Sequence, residues 1–344
     1  MQLGVCGFGY SGSGAVLDLL KEYEGVFVAD KVELSFTFKP DGLNDLRKAI
    51  STEPTRHWSS DTAIRRFIKF MKRKRSIYNR ATNGEFGHLS DEFIDSIIQV
   101  TWSGYTGTHY YQDSNISFLF NQLIALHIRV LYERIFKPLN LNLKPQKSMY
   151  YSYMKETEFN QLAHDFVQKV LASITDKTNT IIAVDQLFSA NRPQDSFAYF
   201  DDPRAILVLR DPRDTFLLAK RAVGIYSKFI PVDKVENFIK YYKGLMRSRS
   251  YGIDKGRILE ISFEDLIYRN SEMRNTIETF LGLSGKRVGG SIHFKPEVSI
   301  NNTQLWRRYP EYSVDINKIE DALTEYLYHF EDFDIKPSFN TVAF

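Results

Sequence analysis

The chain has 344 residues, of which 43% are hydrophobic and 25% are charged, so it has enough apolar residues for a packed core and is not a disordered protein. The formal net charge of +3 is small for this length, gives no argument for nucleic-acid binding and permits an anionic small ligand. No apolar run reaches the roughly 20 residues that span a bilayer.

The chain begins with a strand–loop–helix–strand pattern. A short apolar run predicts a buried strand at 3–7, helical spacing follows at 15–20, and a second strand is predicted at 26–29. The only cysteine, Cys6, lies in the first strand, which excludes an internal disulfide and favours a reducing compartment. Because the N-terminus also lacks the pattern of a signal peptide, we expect a cytoplasmic protein.

Three more short, β-branched runs predict buried strands at 180–184, 205–209 and 257–261. Helical patterns separate or follow them, at about 156–176, 213–223, 233–250, 270–281 and 315–330. Short apolar strands alternating with helices are typical of an α/β fold in which helices flank a parallel sheet. The sequence therefore predicts such a sheet, followed by a loop at 298–312 near the C-terminus.

The segment 41–145 is mostly helical in pattern and rich in aromatic residues. We interpret it as a helical insertion, on the acceptor side, within a single domain that spans 1–344. Within it, 64–75 predicts a basic amphipathic helix whose cations form one face. This face is open to three interpretations: a solvated surface, a contact with an anionic acceptor, or a peripheral contact with a membrane that carries a lipid-linked acceptor. No nucleic-acid-binding motif accompanies it, so no nucleic-acid partner is expected.

A glycine-rich loop joins the first strand to the first helix. Residues 7–14 read Gly-Phe-Gly-Tyr-Ser-Gly-Ser-Gly. Backbone N–H groups in such a turn converge, the helix N-terminus adds positive potential, and glycine lets the backbone approach an anion closely. The loop therefore predicts an anion-binding site, although a tight turn without a ligand remains an alternative. The residues assigned to the ligand are Gly9, Tyr10, Ser11, Gly12, Ser13 and Gly14.

Considered alone, this loop is compatible with a dinucleotide. Gly7, Gly9 and Gly12 fit the pattern G-x-G-x-x-G. Acidic residues, Asp30 and Glu33, follow about 20 residues later, where such sites place a carboxylate on the ribose. An NAD(P)-dependent oxidoreductase is therefore one functional hypothesis.

The same loop also resembles the phosphosulfate loop of sulfotransferases that use 3′-phosphoadenosine 5′-phosphosulfate (PAPS), typically G-x-x-[K/R]-S-G-[T/S]-[T/S]. The positions that match are Gly7, Ser11, Gly12 and Ser13. Tyr10 stands at the position of the usual cation, and Gly14 at that of the last hydroxyl. The resemblance implies a loop that holds the phosphosulfate without a metal ion.

The segment 205–214 is an apolar strand that ends in Arg210 and runs into Asp-Pro-Arg-Asp at a predicted helix start. An arginine at the carboxyl end of a parallel strand lies where ligands bind in such sheets, and a guanidinium suits a phosphate. The segment resembles the 3′-phosphate-binding segment of sulfotransferases, which implies that Arg210 binds that phosphate. Leu218 occupies the position of a second phosphate ligand, usually serine.

Two later segments resemble the same family. Residues 257–266 resemble the strand that precedes a [Y/F]-E-D-L turn, which has a structural role. Residues 299–308 resemble the C-terminal loop that closes over the nucleotide and ends in Trp-Arg. The resemblance therefore implies that Trp306, Arg307 and Arg308 contribute to cofactor binding.

Together these resemblances imply a P-loop NTPase-like sulfotransferase fold. They imply transfer of a sulfuryl group from PAPS to a hydroxyl of a carbohydrate or of a lipid- or sterol-like alcohol, with PAP (3′,5′-ADP) as product and no metal. Such transfer needs a base for the acceptor proton, and the candidates are Glu33, Asp185 and His57. The alternatives are the oxidoreductase and a non-catalytic nucleotide-binding protein of the same fold.

Overall fold

A computed structural model describes residues 1–104, 127, 131, 147–175, 181–224, 227–249, 256–290 and 292–339. The chain divides into two compact units. The first contains Met1–Phe38, Ala81–Asn83 and Leu171–Phe344, and the second contains Lys39–Arg80 and Gly84–Val170. The second unit includes the predicted insertion and continues beyond it, to Val170.

The strands are β1 (Gln2–Gly7), β2 (Val26–Ala29), β3 (Val100–Gly104), β4 (Lys147–Tyr151), β5 (Ile181–Asp185), β6 (Pro203–Leu209) and β7 (Ile258–Ser262). The helices are α1 (Ser13–Leu20), α2 (Leu43–Arg47), α3 (Arg56–Ala81), α4 (Phe86–Ile97), α5 (Glu156–Ile174), α6 (Pro212–Arg221), α7 (Val235–Arg247), α8 (Asp265–Tyr268), α9 (Asn270–Leu281), α10 (Pro296–Ser299) and α11 (Ser313–Ala322).

The first unit is built on a five-stranded parallel sheet with the order β2-β5-β1-β6-β7, flanked by helices. All five strands predicted from apolar runs are confirmed, and so is the α/β class. The central strand is β1, in which Gly4 lies opposite Val184 of β5 and Ala205 of β6. Leu3 and Val5 point to one face of the sheet and Cys6 to the other, and all three are fully buried, as in a sheet covered on both faces.

The last predicted helix is shorter than its pattern suggested. Helix α11 ends at Ala322, whereas helical spacing extends to 330. Beyond it the chain forms short 3₁₀ turns, and the backbone N–H of Tyr328 donates to the carboxylate of Asp211 at 2.9 Å instead of to a helical carbonyl. The aromatic rings of Tyr328 and Phe330 pack on Tyr268 in this region. Tertiary packing therefore overrides the local helical pattern.

The second unit is helical with one hairpin. Helix α3 buries a stripe formed by Ile64, Phe67, Met71 and Tyr78. Strands β3 and β4 pair antiparallel, so the prediction of a mostly helical segment at 41–145 missed a strand within it, β3, and the partner of that strand just after it, β4. Most of residues 105–146 lie outside the described structure. Among the helices of the described ranges, none combines the length and the apolar character needed to cross a bilayer.

The turn from β1 into α1 depends on Gly12. This residue has φ 85°, a left-handed conformation that side chains rarely adopt, and an added Cβ would lie 2.5 Å from the ring of Phe263. Gly14, two residues later in α1, has nothing within 4 Å of an added Cβ. The two glycines of one loop therefore have different structural requirements.

We predict that Gly12→Ala lowers the free energy of unfolding by about 2 kcal/mol, from the left-handed conformation and the displaced ring of Phe263. Gly14→Ala is the matched control and is expected to be neutral or slightly stabilising, because alanine is favoured over glycine within a helix. Urea unfolding midpoints measure both changes. Equal effects of the two substitutions would contradict this account of the loop.

Candidate anion-binding site

The candidate site lies at the carboxyl edge of the parallel sheet. Strand β1 has β5 on one side and β6 on the other, and the chain passes from β5 to β6 across β1. The order of connections therefore reverses at β1, which is where ligands bind in open α/β sheets. Gly7, Asp185 and Leu209 end the three strands that meet there.

The glycine-rich loop turns sharply between β1 and α1. Tyr10 has φ 66° and Gly12 φ 85°, both left-handed, and the N–H of Ser11 donates to the carbonyl of Phe8 at 3.0 Å. Helix α1 begins at Ser13 and has no acidic residue in its first turn. The N-terminus of a helix adds positive potential next to the loop.

The two serines of the loop differ in their surroundings. Ser11 is buried, and its Oγ has no hydrogen-bond partner. That oxygen lies against Gly7, where an added Cβ would approach it to 1.9 Å, so only glycine leaves room for it. Ser13 is half-buried, and its hydroxyl accepts a hydrogen bond from the side-chain amide of Gln186 at 3.3 Å.

Gln186 is a residue of the site that sequence reasoning missed. It follows β5 directly and has φ 49°. Its side-chain oxygen accepts from the backbone N–H of Gly7 at 3.4 Å, and its backbone N–H donates to the carbonyl of Val5 at 3.0 Å. Gln186 therefore links the end of β1 to the start of α1. Its position one residue beyond a strand's carboxyl end marks the edge of the sheet where ligands bind, but no local sequence signal indicates its bonds to Gly7 and Ser13.

Arg210 lies at the end of β6 and is 7% exposed. One Nη donates to the carbonyl of Tyr10 at 3.1 Å, the other donates to the carbonyl of Asn302, and the guanidinium lies 4.4 Å from the ring centroid of Phe263. Burial lowers the pKa of Arg210, and the nearby carboxylates, Asp214 first, oppose that shift. The arginine therefore joins the glycine-rich loop to the segment around Asn302.

A small cavity of about 10 Å³ lies behind the loop, and Ser11 and Arg210 are among its lining residues. Such a volume has room for one water molecule and not for a phosphate group. Arg210 Nε has no hydrogen-bond partner, as is also true of Ser11 Oγ. Arg210 therefore faces carbonyl oxygens rather than a phosphate-sized pocket.

Three buried carboxyl groups surround Arg210. Asp214 accepts from the N–H groups of Gln304 at 2.9 Å and Leu305 at 2.7 Å, so it holds the C-terminal loop. Glu264 accepts from the N–H of Asp211 at 3.0 Å. Burial, followed by the charge of Asp211, raises the pKa of Glu264 to about 7 and raises that of Asp214 well above its usual range.

Arg213 is a structural residue of this cluster. Its guanidinium donates to both carboxylate oxygens of Asp211, at 3.0 and 2.7 Å, and to Glu320 at 2.8 Å. It also lies 3.9 Å from the centroid of the Trp306 ring, which in turn packs edge-on against Phe330. Trp306 is therefore a packing anchor of the C-terminal loop, whatever contact it makes with a ligand.

The other residues predicted to bind the cofactor lie in different surroundings. Leu218 packs against the apolar cluster around Phe216, in agreement with its apolar character. Arg307 is exposed, and Arg308 lies 5.7 Å from the ring centroid of Tyr309. Both arginines thus extend from the C-terminal loop that Arg210 and Asp214 hold.

The structure brings two of the three candidate bases together. Asp185, at the end of β5, has its pKa raised to about 6 by burial and then by the negative charges of Glu33 and Asp30. Its Oδ1 is buried without a hydrogen-bond partner. Glu33 is exposed. The backbone of His57 lies in α3, and its side chain lies outside the described structure.

Comparison with known proteins adds no relative to this geometry. No protein-family model matches the chain, and no curated protein is significantly similar to it. Its function is therefore inferred from its own residues.

We predict a pH dependence of stability from Asp185. Because its pKa is raised in the folded state, the folded chain binds the proton more tightly, and stability falls as the pH rises from about 4 to about 6. Asp185→Asn removes this loss. The free energy of unfolding of the variant minus that of the wild type should increase by about 1–2 kcal/mol between pH 4 and pH 7. This range is smaller than the full pKa shift implies, because Asp185 is partly exposed and solvent screens its charge.

Chemical denaturation at several pH values measures this difference. Asp321→Asn, at an exposed carboxylate, is the control and should change the same difference by less than about 0.5 kcal/mol. A pH-independent effect of Asp185→Asn would show that the raised pKa is wrong.

Proposed function

We propose that this protein transfers a sulfuryl group from PAPS to an acceptor hydroxyl, with PAP as the product. The observation that carries the proposal is that the four segments resembling sulfotransferases, 7–14, 205–214, 257–266 and 299–308, meet at one edge of the sheet. They are distant in sequence, and each resembles the family on its own residues. Their convergence supports a common ligand.

The contacts between these segments are direct. Phe263 lies against Gly12 and under the guanidinium of Arg210. Arg210 and Asp214 both bind backbone groups of 302–305. A nucleotide with phosphates at both the 3′ and 5′ positions of its ribose is best bound by separate segments, and the contact between these segments supports the proposal.

The residues present fit the phosphosulfate end of PAPS. The backbone at Gly14 is open, with nothing within 4 Å of an added Cβ, and the loop leads directly into the N-terminus of α1. Loop N–H groups and Ser13 would bind the phosphosulfate and stabilise charge on the leaving oxygen. Exposed Arg307 would reach toward the 3′-phosphate, while Arg210 positions both binding segments.

PAPS supplies the sulfuryl group: a bond forms between the acceptor oxygen and sulfur, and the bond from sulfur to the phosphate oxygen breaks, leaving its electron pair on PAP. The acceptor proton must go to a base. Asp185 suits this role, because a pKa of about 6 leaves it ionised at neutral pH yet basic enough to accept the proton. Glu33 would then raise the basicity of Asp185 rather than act itself.

The dinucleotide hypothesis is less well supported. Strand β5 lies between β2 and β1, so the end of β2 is two strand spacings, about 10 Å, from the loop. Dinucleotide-binding sheets of the order 3-2-1-4-5-6 place these two strands side by side. Asp30, the acidic residue that follows β2 directly and is one candidate for the ribose carboxylate, also forms an ion pair with Lys21 at 2.6 Å.

A non-catalytic nucleotide-binding protein is the second candidate. Two observations favour it: the loop has Tyr10 at the position of the usual cation, and Arg210 already donates to two carbonyls. Such a protein would bind PAP and transfer nothing. Turnover therefore separates the two candidates.

We predict that isothermal calorimetry detects binding of 3′,5′-ADP and not of NAD or NADP. Ser13→Ala should weaken 3′,5′-ADP binding about tenfold, because it removes a protein hydroxyl that hydrogen-bonds to the charged ligand. Ser284→Ala, at an exposed turn of the same unit, is the matched control and should leave the affinity unchanged. Radiolabelled PAPS with a panel of sugar and lipid alcohols then measures transfer.

Tight binding of NAD or NADP without any response to 3′,5′-ADP would overturn the proposal. Binding of 3′,5′-ADP without transfer to any acceptor would favour the non-catalytic candidate. If transfer occurs, Asp185→Asn should abolish it while keeping the affinity for 3′,5′-ADP, and Glu33→Gln should only reduce it.

A further inference from the structure

The second unit has a strongly basic helix face. From Thr62 to Ala81, helix α3 has no carboxylate and eight cations: Arg65, Arg66, Lys69, Lys72, Arg73, Lys74, Arg75 and Arg80. The apolar stripe of the same helix is buried, with Phe67 and Ile64 fully inaccessible. The charged face is therefore what this helix presents to solvent.

Only part of this charge is neutralised within the unit. Arg65, Arg66 and Arg75 form ion pairs with Asp61, Asp41 and Asp91. Within the described part of the chain, the other five cations have no ion pair: Lys69, Lys72, Arg73, Lys74 and Arg80. At a rise of about 1.5 Å per residue, the row from Arg65 to Arg80 extends over about 22 Å.

An open groove of about 490 Å³ runs beside this row. Its lining residues are Arg65, Ile68, Lys69, Lys72, Arg73 and Tyr150. The buried carboxylate of Asp61 builds the groove, since it accepts from Arg65 Nε and from the N–H of Tyr150, both at 2.9 Å. Arg65 also lies 5.0 Å from the ring centroid of Tyr150. The wall of the groove is therefore held in place, while its lysines remain available.

We propose that this groove binds a linear acidic polysaccharide. The row of cations matches a ligand whose negative charges recur along a chain, and Lys69 and Arg73, one helical turn apart, are separated by about 6 Å along the axis. A half-buried tyrosine in a shallow, polar groove suits the apolar face of a sugar ring. This inference goes beyond the proposed sulfuryl transfer and does not depend on it.

Two other polyanions fit this surface less well. A helix that binds a membrane inserts its apolar face, and here that face is buried in the unit. Single-stranded nucleic acid is bound by a series of exposed aromatic rings, and the lining of this groove contains one, Tyr150. A concave, charged groove therefore favours a polysaccharide.

The test measures binding of a chondroitin sulfate octasaccharide, the acidic polysaccharide probe. Three other probes are compared with it: neutral maltooctaose, oligothymidylate, and phosphatidylcholine vesicles containing phosphatidylglycerol. The full chain should bind the acidic octasaccharide most tightly and maltooctaose not at all. The triple variant Lys69→Ala, Lys72→Ala, Arg73→Ala should weaken octasaccharide binding at least about tenfold. It should also lower the slope of log Kd against log salt concentration by about two, as expected for three lost charge contacts.

The matched control is the triple variant Lys234→Ala, Lys240→Ala, Arg247→Ala, which removes the same charge from exposed positions of the first unit. It should change octasaccharide affinity less than about threefold, as expected for screened distant charges. Equal losses in both variants, no binding of the octasaccharide, or tighter binding of oligothymidylate or vesicles would overturn the inference. Titration of both variants with 3′,5′-ADP measures nucleotide binding separately. A failure of octasaccharide binding is thereby distinguished from a failure of the proposed sulfuryl transfer.

Discussion

The site depends on one buried guanidinium. Arg210 donates to the carbonyl of Tyr10 in the glycine-rich loop and to that of Asn302 in the C-terminal loop, two segments that are nearly 300 residues apart. Asp214, four residues later, binds the N–H groups that follow Asn302. Loss of either partner would leave the other as an unpaired buried charge, which destabilises the folded state strongly.

More carboxyl groups than guanidinium groups lie in the cluster around this arginine. Asp211, Asp214 and Glu264 face Arg210 and Arg213 within the buried cluster, so the carboxyl groups outnumber the guanidinium groups. The raised pKa values of Glu264 and Asp214 follow from this excess and from burial. The cluster thus holds both the glycine-rich loop and the C-terminal loop. Asp185 is placed apart from it, at the end of β5.

The strands and the glycine-rich loop were predictable from sequence, because a buried parallel strand such as 205–209 is a continuous apolar run and glycines mark a turn. Strands β3 and β4 were not, since both are partly exposed and neither has an apolar run. The role of Gln186 was not predictable either. It rests on hydrogen bonds to Gly7 and Ser13, which are distant in sequence, and no local pattern encodes such contacts.

The central claim is that the glycine-rich loop and the C-terminal loop form one nucleotide site around Arg210. Hydrogen–deuterium exchange with and without saturating 3′,5′-ADP tests it most directly. The account predicts slower exchange of backbone amides in both 9–14 and 302–308, with little change in the second unit. Protection confined to one of these loops, or to other parts of the chain, would contradict it.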